Sequence, residues 1–576
     1  MLRNSGRAWQ PAVHDCLFLV VIAILSLSLY VADLGFYNDD WALLSSMHLS
    51  SDQSLVGVFT AVDSSQDNEI RPIQFLGYAV PYKLFGLNPL GYHLINAIFF
   101  GTSFAFLYLI LAEFRQPRAL CLAIPIIYML MPAYSTDRFW IAAHATNISM
   151  CLSFLGIYAH LRALRRRNRG FWGWEVFAIL CVVAAGLAYE VFLPLVLATM
   201  AFLFISDLAA DWPASANRRS VRTAALRQAS IMLAIVLLML VKAKWAARVG
   251  RVEVADFVDW IAGYFLWVSH YAFKAFVYSY GYHLLELPAT AWRAFRHHAS
   301  ATMAIQAAVI GAAIFIKLYR SWDKFSDAVT ASRAKMLIYL GCGIVLFVAG
   351  YSLYPINPGP NNRVAIAGTL GVAVSAAGLF GILASVAPGI WRKALFSGIV
   401  GFIGMSGALT IDVLARYWVE SYRLQNVFLS DIRSHIPVMP AGTRSILDGI
   451  CPYNGPAPVF EAPWDLSSAL SILYGHPGIK ANIVTRGLTI EPNGLTVPSG
   501  MGPILYPFDQ LIVYHFGRKE SYALADEQAA LRYFNNVSTD RAHRCPSDFY
   551  GNGVDVLGGV IPILGRGPVL TQRTIQ

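Results

Sequence analysis

Long apolar runs separated by short charged connections dominate the chain. Runs near or above bilayer-crossing length fall at about 14–33, 92–114, 119–135, 141–161, 173–189, 191–208, 229–246, 301–317, 336–354, 364–387 and 394–414. A spanning helix needs roughly 20 residues, so the pattern predicts a polytopic α-helical membrane protein with about 11 transmembrane helices. The first run follows Arg3 and Arg7, as in a signal peptide. It is long, however, and its exit, Ala32-Asp33-Leu34-Gly35, is a poor cleavage site, so it reads as a retained signal anchor. The stretch 247–300 mixes Trp260, Tyr264, Trp267, His270 and Tyr271 with Lys274 and Glu286, a blend suited to helices lying at the interface or to a re-entrant pair. From about Glu420 Pro, Gly, Asn and charges recur every few residues, and short β-like runs such as 510–516 appear. A small soluble α/β domain is expected over 419–576, large enough to bury its own core, after a membrane domain over 1–418.

Composition agrees with this division. Of 576 residues 56% are hydrophobic and 14% charged, and the mean hydropathy is +0.51, whereas soluble proteins carry roughly a quarter charged residues. The net charge of +10 does not point to nucleic acid, because the basic residues cluster in short loops between apolar runs. Arg115 and Arg118, then Arg162, Arg165, Arg166, Arg167 and Arg169, then Arg218, Arg219, Arg222 and Arg227 occupy alternate connections. Lys317, Arg320, Lys324, Arg333 and Lys335, then Arg392 and Lys393, continue the alternation. All fall on one side if the N-terminus is cytoplasmic. The first outer loop (34–91), Asp137, Glu190, the 247–300 segment, Asn361-Asn362-Arg363 and the C-terminal domain then share the opposite side. Five of the seven cysteines (Cys16, Cys121, Cys151, Cys181 and Cys342) lie in apolar runs as small hydrophobes. Cys451 and Cys545 lie in the polar segment, where an oxidising compartment would permit a disulfide.

Tyr37-Asn38-Asp39-Asp40-Trp41 follows the first apolar run. Acidic residues at that depth are costly and usually face a polar cavity; a helix cap at the interface is the bland alternative. Arg71-Pro72 and Phe85-Gly86-Leu87-Asn88-Pro89-Leu90-Gly91-Tyr92-His93-Leu94-Ile95-Asn96 follow in the same loop. The ordered set resembles the GT-C class of membrane glycosyltransferases, most strongly the protein O-mannosyltransferase-like branch and its bacterial relatives. Further along, Pro132-Ala133-Tyr134-Ser135-Thr136-Asp137-Arg138, Ala188-Tyr189-Glu190 and Asn362-Arg363 are similar to later motifs of that class. The resemblance covers roughly 14–210 well and 350–370 weakly.

The resemblance implies transfer of a sugar from a polyprenyl-phosphate carrier to a hydroxyl acceptor (protein, glycan or lipid), with inversion, on the periplasmic face of a bacterial inner membrane. Membrane lipids are the other expected partners, nucleic acid is not, and a divalent metal is left open. It carries the general base onto Asp39, with Asp40 and Asp137 orienting the acceptor or tuning the base, since neighbouring carboxylates raise one another's pKa. The lipid phosphate calls for cations. Arg363 is the first candidate, with Arg71 and Arg138 behind it, because guanidinium forks match phosphate oxygens. Glu190 sits beside the presumed cavity, and Asn362 and His93 stand among the substrate-contact candidates. Structural hydrogen bonding is the simpler role for His93 and Asn96, which share one helix face. Plainer roles stay open elsewhere: a local Asp137–Arg138 ion pair, a solvated turn at Glu190, and headgroup anchoring for Arg71 and Arg363.

Rival functions are a transporter or flippase, which would place ionisable residues mid-helix in two matching repeats, and a polysaccharide polymerase or ligase. His144, His270 and His283 lack partners at metal-ligand spacing, and no phosphate-cradling Gly-rich loop is present. In the C-terminal domain Asp448, Trp464, Asp465 and Tyr474 read as ordinary content of a small soluble fold. The domain's position alone suggests that it covers the cavity or binds the acceptor.

Overall fold

The computed structural model describes residues 5–65, 71–165, 171–211, 218–248, 273, 275–352, 365–485, 487–499 and 502–537. Asn361, Asn362, Arg363 and Cys545 lie outside the described residues, as does 249–272 of the expected interfacial segment.

Helix α1 (Ser5–Leu25) leads into the loop expected to be the first outer one, whose described residues fold as three helices: α2 (Asp39–His48), α3 (Leu55–Ser65) and α4 (Pro72–Phe85). The Asn-Pro step in the loop's last motif starts α5 (Pro89–Glu113). Asn88 accepts from the Leu90 N–H at 3.1 Å, and Pro89 fills the first position, where no N–H is needed. Next come α6 (Arg118–Leu130), α7 (Thr136–Phe139), α8 (His144–Arg165), α9 (Phe171–Ala188), α10 (Leu193–Asp211) and α11 (Arg218–Arg248). A π-helical stretch, Val277–Leu285, precedes α12 (Leu287–His297), α13 (Ala301–Ser321), α14 (Lys324–Thr330), α15 (Arg333–Tyr351), α16 (Ala365–Ser385) and α17 (Gly389–His435).

By length and composition, seven of the described helical segments suffice to cross a membrane: Pro89–Glu113, Ile141–Arg165, Gln228–Trp245, Ala301–Ser321, Arg333–Tyr351, Ala365–Ser385 and Gly389–His435. Shorter apolar helices (Ala12–Leu25, Arg118–Leu130, Trp172–Ala188 and Glu190–Ser206) coincide with the remaining apolar runs. The chain is a multi-pass membrane protein. Between membrane helices, small residues replace the hydrophobic driving force that lipid removes. Helices α15 and α16 approach so closely that a β-carbon at Gly343, Gly350 or Gly371 would strike the facing backbone, and one at Gly368 the Tyr351 ring.

Ion pairs gather the basic connections at one end of the bundle. Asp15, fully buried on α1, takes a two-pronged contact from Arg118 (2.7 and 2.8 Å), a third from Lys317 (2.8 Å) and the Tyr108 hydroxyl (2.7 Å). Glu113 holds Arg162 and Arg165, and Asp327 holds Arg392. The acidic and aromatic loops sit at the other end, with the C-terminal domain.

Helix α17 joins the two ends. Its 47 residues extend about 70 Å at 1.5 Å per residue, more than twice the roughly 30 Å hydrocarbon thickness. Its first half packs on α6, α13 and α16, and its second half on α12 and the C-terminal domain. The compositional change near Glu420 therefore falls inside one helix, whose second half continues unbroken against the C-terminal domain.

The C-terminal domain runs β1 (Arg444–Asp448), β2 (Tyr453–Asn454), β3 (Ala457–Pro458), α18 (Pro463–Tyr474), β4 (Lys480–Ile483), β5 (Thr489–Glu491), β6 (Gly494–Val497), β7 (Ile504–Pro507), β8 (Leu511–His515), β9 (Glu520–Ala523) and α19 (Glu527–Asn536). Strands order β4-β1-β8-β9, with β1 parallel to β4 and β8 and with β9 antiparallel; β5, β6 and β7 form a separate antiparallel sheet. Leu447, Ala481 and Tyr514 of the main sheet and Leu466 and Leu470 of α18 share one apolar core with Trp41 and Leu44 of α2 and with Trp418 and Phe428 of α17. The soluble domain is thus fused by its core to the first outer loop. Cys451 is disulfide-bonded, while Cys16, Cys121, Cys151, Cys181 and Cys342 are free.

Removing the acid at the basic end tests that architecture. Asp15→Asn leaves Arg118 and Lys317 without their carboxylate and costs about 2 kcal/mol, discounted because both cations keep partial exposure. A lower melting temperature of the detergent-solubilised protein is the expected readout.

Candidate functional site

The chain leaves α1 and is pinned before α2 begins. The Tyr37 ring is fully buried, edge-on to Trp418 at 4.7 Å between centroids. Its hydroxyl donates to the Trp418 carbonyl (2.8 Å) and accepts from the Gly35 N–H (3.0 Å). Asn38 then adopts φ 44°, ψ −112°, a left-handed conformation that an L-residue holds only when its surroundings enforce it. The adjacent acids take different positions because successive residues of a helical turn face different ways.

Asp40 points inward and is 2% exposed. Its carboxylate accepts the Tyr37 N–H (2.9 Å) and the Ala142 N–H (2.7 Å), so one side chain ties the first outer loop to the second. Burial pushes Asp40 well above the usual carboxylate range; the backbone N–H groups offset this only in part, and the charge of Asp39 adds to the rise. Asp39 is partly exposed at the start of α2. One of its oxygens accepts the indole N–H of Trp464, the second residue of α18, at 2.9 Å.

The second outer loop, 131–143, is built from two 3₁₀ turns flanking α7 and is buried throughout. Asp137 is fully buried within it. Its carbonyl accepts from Asn96 (2.9 Å) and Asn147 (2.7 Å), and one carboxylate oxygen accepts from Thr146 (2.8 Å). Arg138 turns toward Ser26 (3.3 Å) and the Met129 carbonyl, and its guanidinium lies 4.4 Å from the Phe100 ring centroid. Its charge acts on Asp412, a buried α17 carboxylate whose oxygens find no hydrogen-bond partner among the described residues. His93 bonds the Gly35 carbonyl at 2.9 Å. His93, Asn96 and Asp137 therefore hold backbone in place.

A separate cluster forms where α4 and α10 begin. Arg71, just before Pro72, pairs with Glu190 at 2.7 Å, and its guanidinium stacks 4.6 Å from the Tyr189 ring centroid. Lys242 of α11 reaches the other Glu190 oxygen at 2.9 Å and the Gly186 carbonyl at 2.8 Å. Two cations thus share one carboxylate, with side chains 15–26% exposed. Tyr78 of α4 donates to the carbonyl of Ala142 (3.0 Å), the residue whose N–H meets Asp40. Arg71 lies seven residues before Tyr78, about 10 Å along the helix.

The structure thus joins Asp40 to the second outer loop, Asp39 to Trp464 of the C-terminal domain, and Arg71 to Glu190. The sequence does not single out Lys242 or Glu461, and Trp464 reads there as ordinary content of the C-terminal fold. Lys242 looks like the polar end of an apolar run, although a cation inside a spanning segment is itself a signal. Trp464 and Glu461 lie more than 420 residues from the loop that they touch, and no local pattern marks them. Among the described residues no group of three or more His, Cys, Asp and Glu side chains is arranged to hold a metal ion.

No family model matches the chain. Over 186 residues it is 25% identical to the protein O-mannosyl-transferase Tmtc1 of Drosophila melanogaster, a match covering 31% of this chain and 21% of that protein. The chain spans about a fifth of the length of this curated relative. The match bears out the resemblance to the protein O-mannosyltransferase-like branch of the GT-C class. Crystal structures of ArnT from Cupriavidus metallidurans, in the apo state and bound to undecaprenyl phosphate, align at 13% and 14% identity. They cover 84% and 82% of this chain and 87% and 85% of theirs, each with a TM-score of 0.34, too low to equate any site.

Asp40→Asn tests the clamp. An amide offers one acceptor where the carboxylate offers two, so either Tyr37 or Ala142 loses its partner, at about 2 kcal/mol. A lowered melting temperature is expected, with Asp39→Asn unfolding close to wild type.

Proposed function

We propose that this protein is a membrane glycosyltransferase that moves a sugar from a polyprenyl-phosphate carrier to a hydroxyl on a protein, glycan or lipid, with Asp39 as general base. The observation that carries the proposal is a partly exposed carboxylate at a helix start, set at the same end of the bundle as a half-buried two-cation cluster. The acceptor hydroxyl attacks the anomeric carbon, its proton passes to Asp39, and the bond from that carbon to the phosphate oxygen breaks with inversion. Polyprenyl phosphate leaves as an anion. Arg71 supplies a planar fork and Lys242 a point charge for its oxygens, and Glu190 holds both cations in place. Arg363, the first phosphate candidate in the sequence, remains a candidate. Asp40 and Asp137 act by fixing the two loops that bear the base, and Arg138 by bracing the second loop.

The positive-inside pattern supports a cytoplasmic N-terminus and a site on the periplasmic face of a bacterial inner membrane. A transporter or flippase draws on one observation, the unpartnered carboxylate of Asp412. Asp412 lies 23 residues into α17, about 35 Å from its start. That is past a hydrocarbon layer of roughly 30 Å, so this acid also belongs to the outer end and does not mark a midplane pathway.

Comparing glycans and glycolipids of a deletion strain by mass spectrometry tests the reaction. One sugar is lost in the deletion and restored by the wild-type gene. Asp39→Asn restores about a hundredfold less or lower still. Arg71→Ala and Lys242→Ala each reduce the rate on the order of tenfold, as expected for one charge-assisted contact to phosphate. An unchanged glycan profile together with altered solute uptake contradicts the proposal.

A further inference from the structure

We propose that Trp464 is a positioning residue for the Asp39 carboxylate, so that the soluble domain completes a site whose base belongs to the first outer loop. The inference rests on Asp39 being the general base.

The geometry is specific to a donor. The indole N–H, which can only donate, is shared between Asp39 Oδ1 (2.9 Å) and Asn38 Oδ1 (2.8 Å). Asn38 in turn donates its side-chain N–H to Glu461, which also receives the Tyr453 hydroxyl. Both residues that precede and open α2 are therefore gripped from the turn that opens α18. That turn is itself fixed, because the fully buried Asp465 accepts the N–H groups of Glu461 (2.8 Å) and Ala462 (3.2 Å). The left-handed Asn38 sits at the centre of this grip, and strain of that kind persists where neighbouring contacts over-determine it.

Docking the domain does not require this bond. The shared apolar core already fixes it, as do Gln425, which accepts from Trp41 (3.1 Å) and donates to the Val459 carbonyl (2.8 Å), and Ser421, which donates to the Pro458 carbonyl. What the indole N–H adds is direct control of Asp39. It holds one carboxylate oxygen, and with it the rotamer, and a hydrogen bond donated to a carboxylate favours the ionised form that a base requires.

Among the described residues, the titratable groups near Asp39 include Asp40 on α2, Glu461 in the turn, and Asp465, which burial raises to about 7 with Asp39 adding to the rise. Of these carboxylates the indole N–H donates to Asp39 and to none of the other three; its second acceptor is the uncharged Asn38 side chain.

The test measures the initial rate at which membranes of the deletion strain, which carry their own donor and acceptor, regain the lost sugar when supplied with each purified full-length variant, across a range of pH. Trp464→Phe keeps the bulk and removes the N–H. Its acidic limb moves up by about one pH unit, giving about tenfold loss on the acidic side and a rate near wild type on the alkaline side. Trp464→His, which retains an N–H, returns the limb toward wild type. Asn38→Gly provides a second, independent variant. Glycine accepts the left-handed backbone, and loss of the competing acceptor gives the whole indole N–H to Asp39, so the limb moves down.

An equal loss at every pH for Trp464→Phe, or a limb that stays in place in both Trp464→Phe and Asn38→Gly, overturns the proposal. Asp39→Asn run alongside separates the two levels. If it is active, the base assignment falls; if it is inactive while the limbs stay fixed, only the role of Trp464 falls.

Discussion

Two backbone N–H groups, from Tyr37 and Ala142, converge on the carboxylate of Asp40. Residues 37 and 142 belong to different outer loops, each of which must leave the apolar bundle with its polar backbone satisfied. A single buried acid meets that demand for both, and a charged or polar side chain at such depth persists only where it is fully engaged. The tyrosine ring before it is locked against Trp418 of α17, so the clamp is referred directly to the longest of the described helices. Because α17 also carries the C-terminal domain, helix α2 of the first outer loop is held between a membrane helix and a folded domain.

This arrangement gives two adjacent acids opposite tasks. Asp40 is inside, raised by burial and occupied by backbone; Asp39, one residue earlier, stays partly exposed and is reached by a side chain of the soluble domain. The cations follow a similar logic. Arg71 and Lys242 are presented half-buried against one shared carboxylate, which keeps a net positive charge in place without leaving either cation unpaired in a low-dielectric setting. Acid and cations come from separate elements, linked among the described residues by α4 and the second outer loop.

Much of the architecture was legible in the sequence because membrane helices declare themselves through uninterrupted apolar length. The described spans and short apolar helices match the runs read from the sequence. The basic connections gather at one end, tied by Asp15, Glu113 and Asp327. The end of the membrane domain was harder to read, because α17 stays helical for 15 residues past Glu420, where the composition changes, and helicity does not depend on whether the surroundings are lipid or water. In the outer loops, Asp39-Asp40 stood out because acids are rare at that depth. Their division into an inner clamp and an outer carboxylate depends on side-chain direction within one turn, which the sequence does not encode locally. Trp464 looked like ordinary domain content because its partner is 425 residues away, and Lys242, near the end of an apolar run, belongs to no motif that marks it. Arg363 and Asn362 fall outside the described residues.

The claim on which the account turns is that Asp39 and the Arg71–Lys242 pair open onto one wet cavity at the outer membrane boundary. An experimental structure of the full chain in lipid nanodiscs with added undecaprenyl phosphate measures this directly. The account predicts the phosphate within hydrogen-bond distance of Arg71 and Lys242, with the Asp39 carboxylate facing the same solvent-filled space. A phosphate seated elsewhere, or an Asp39 walled off from it by protein or lipid, would contradict the account.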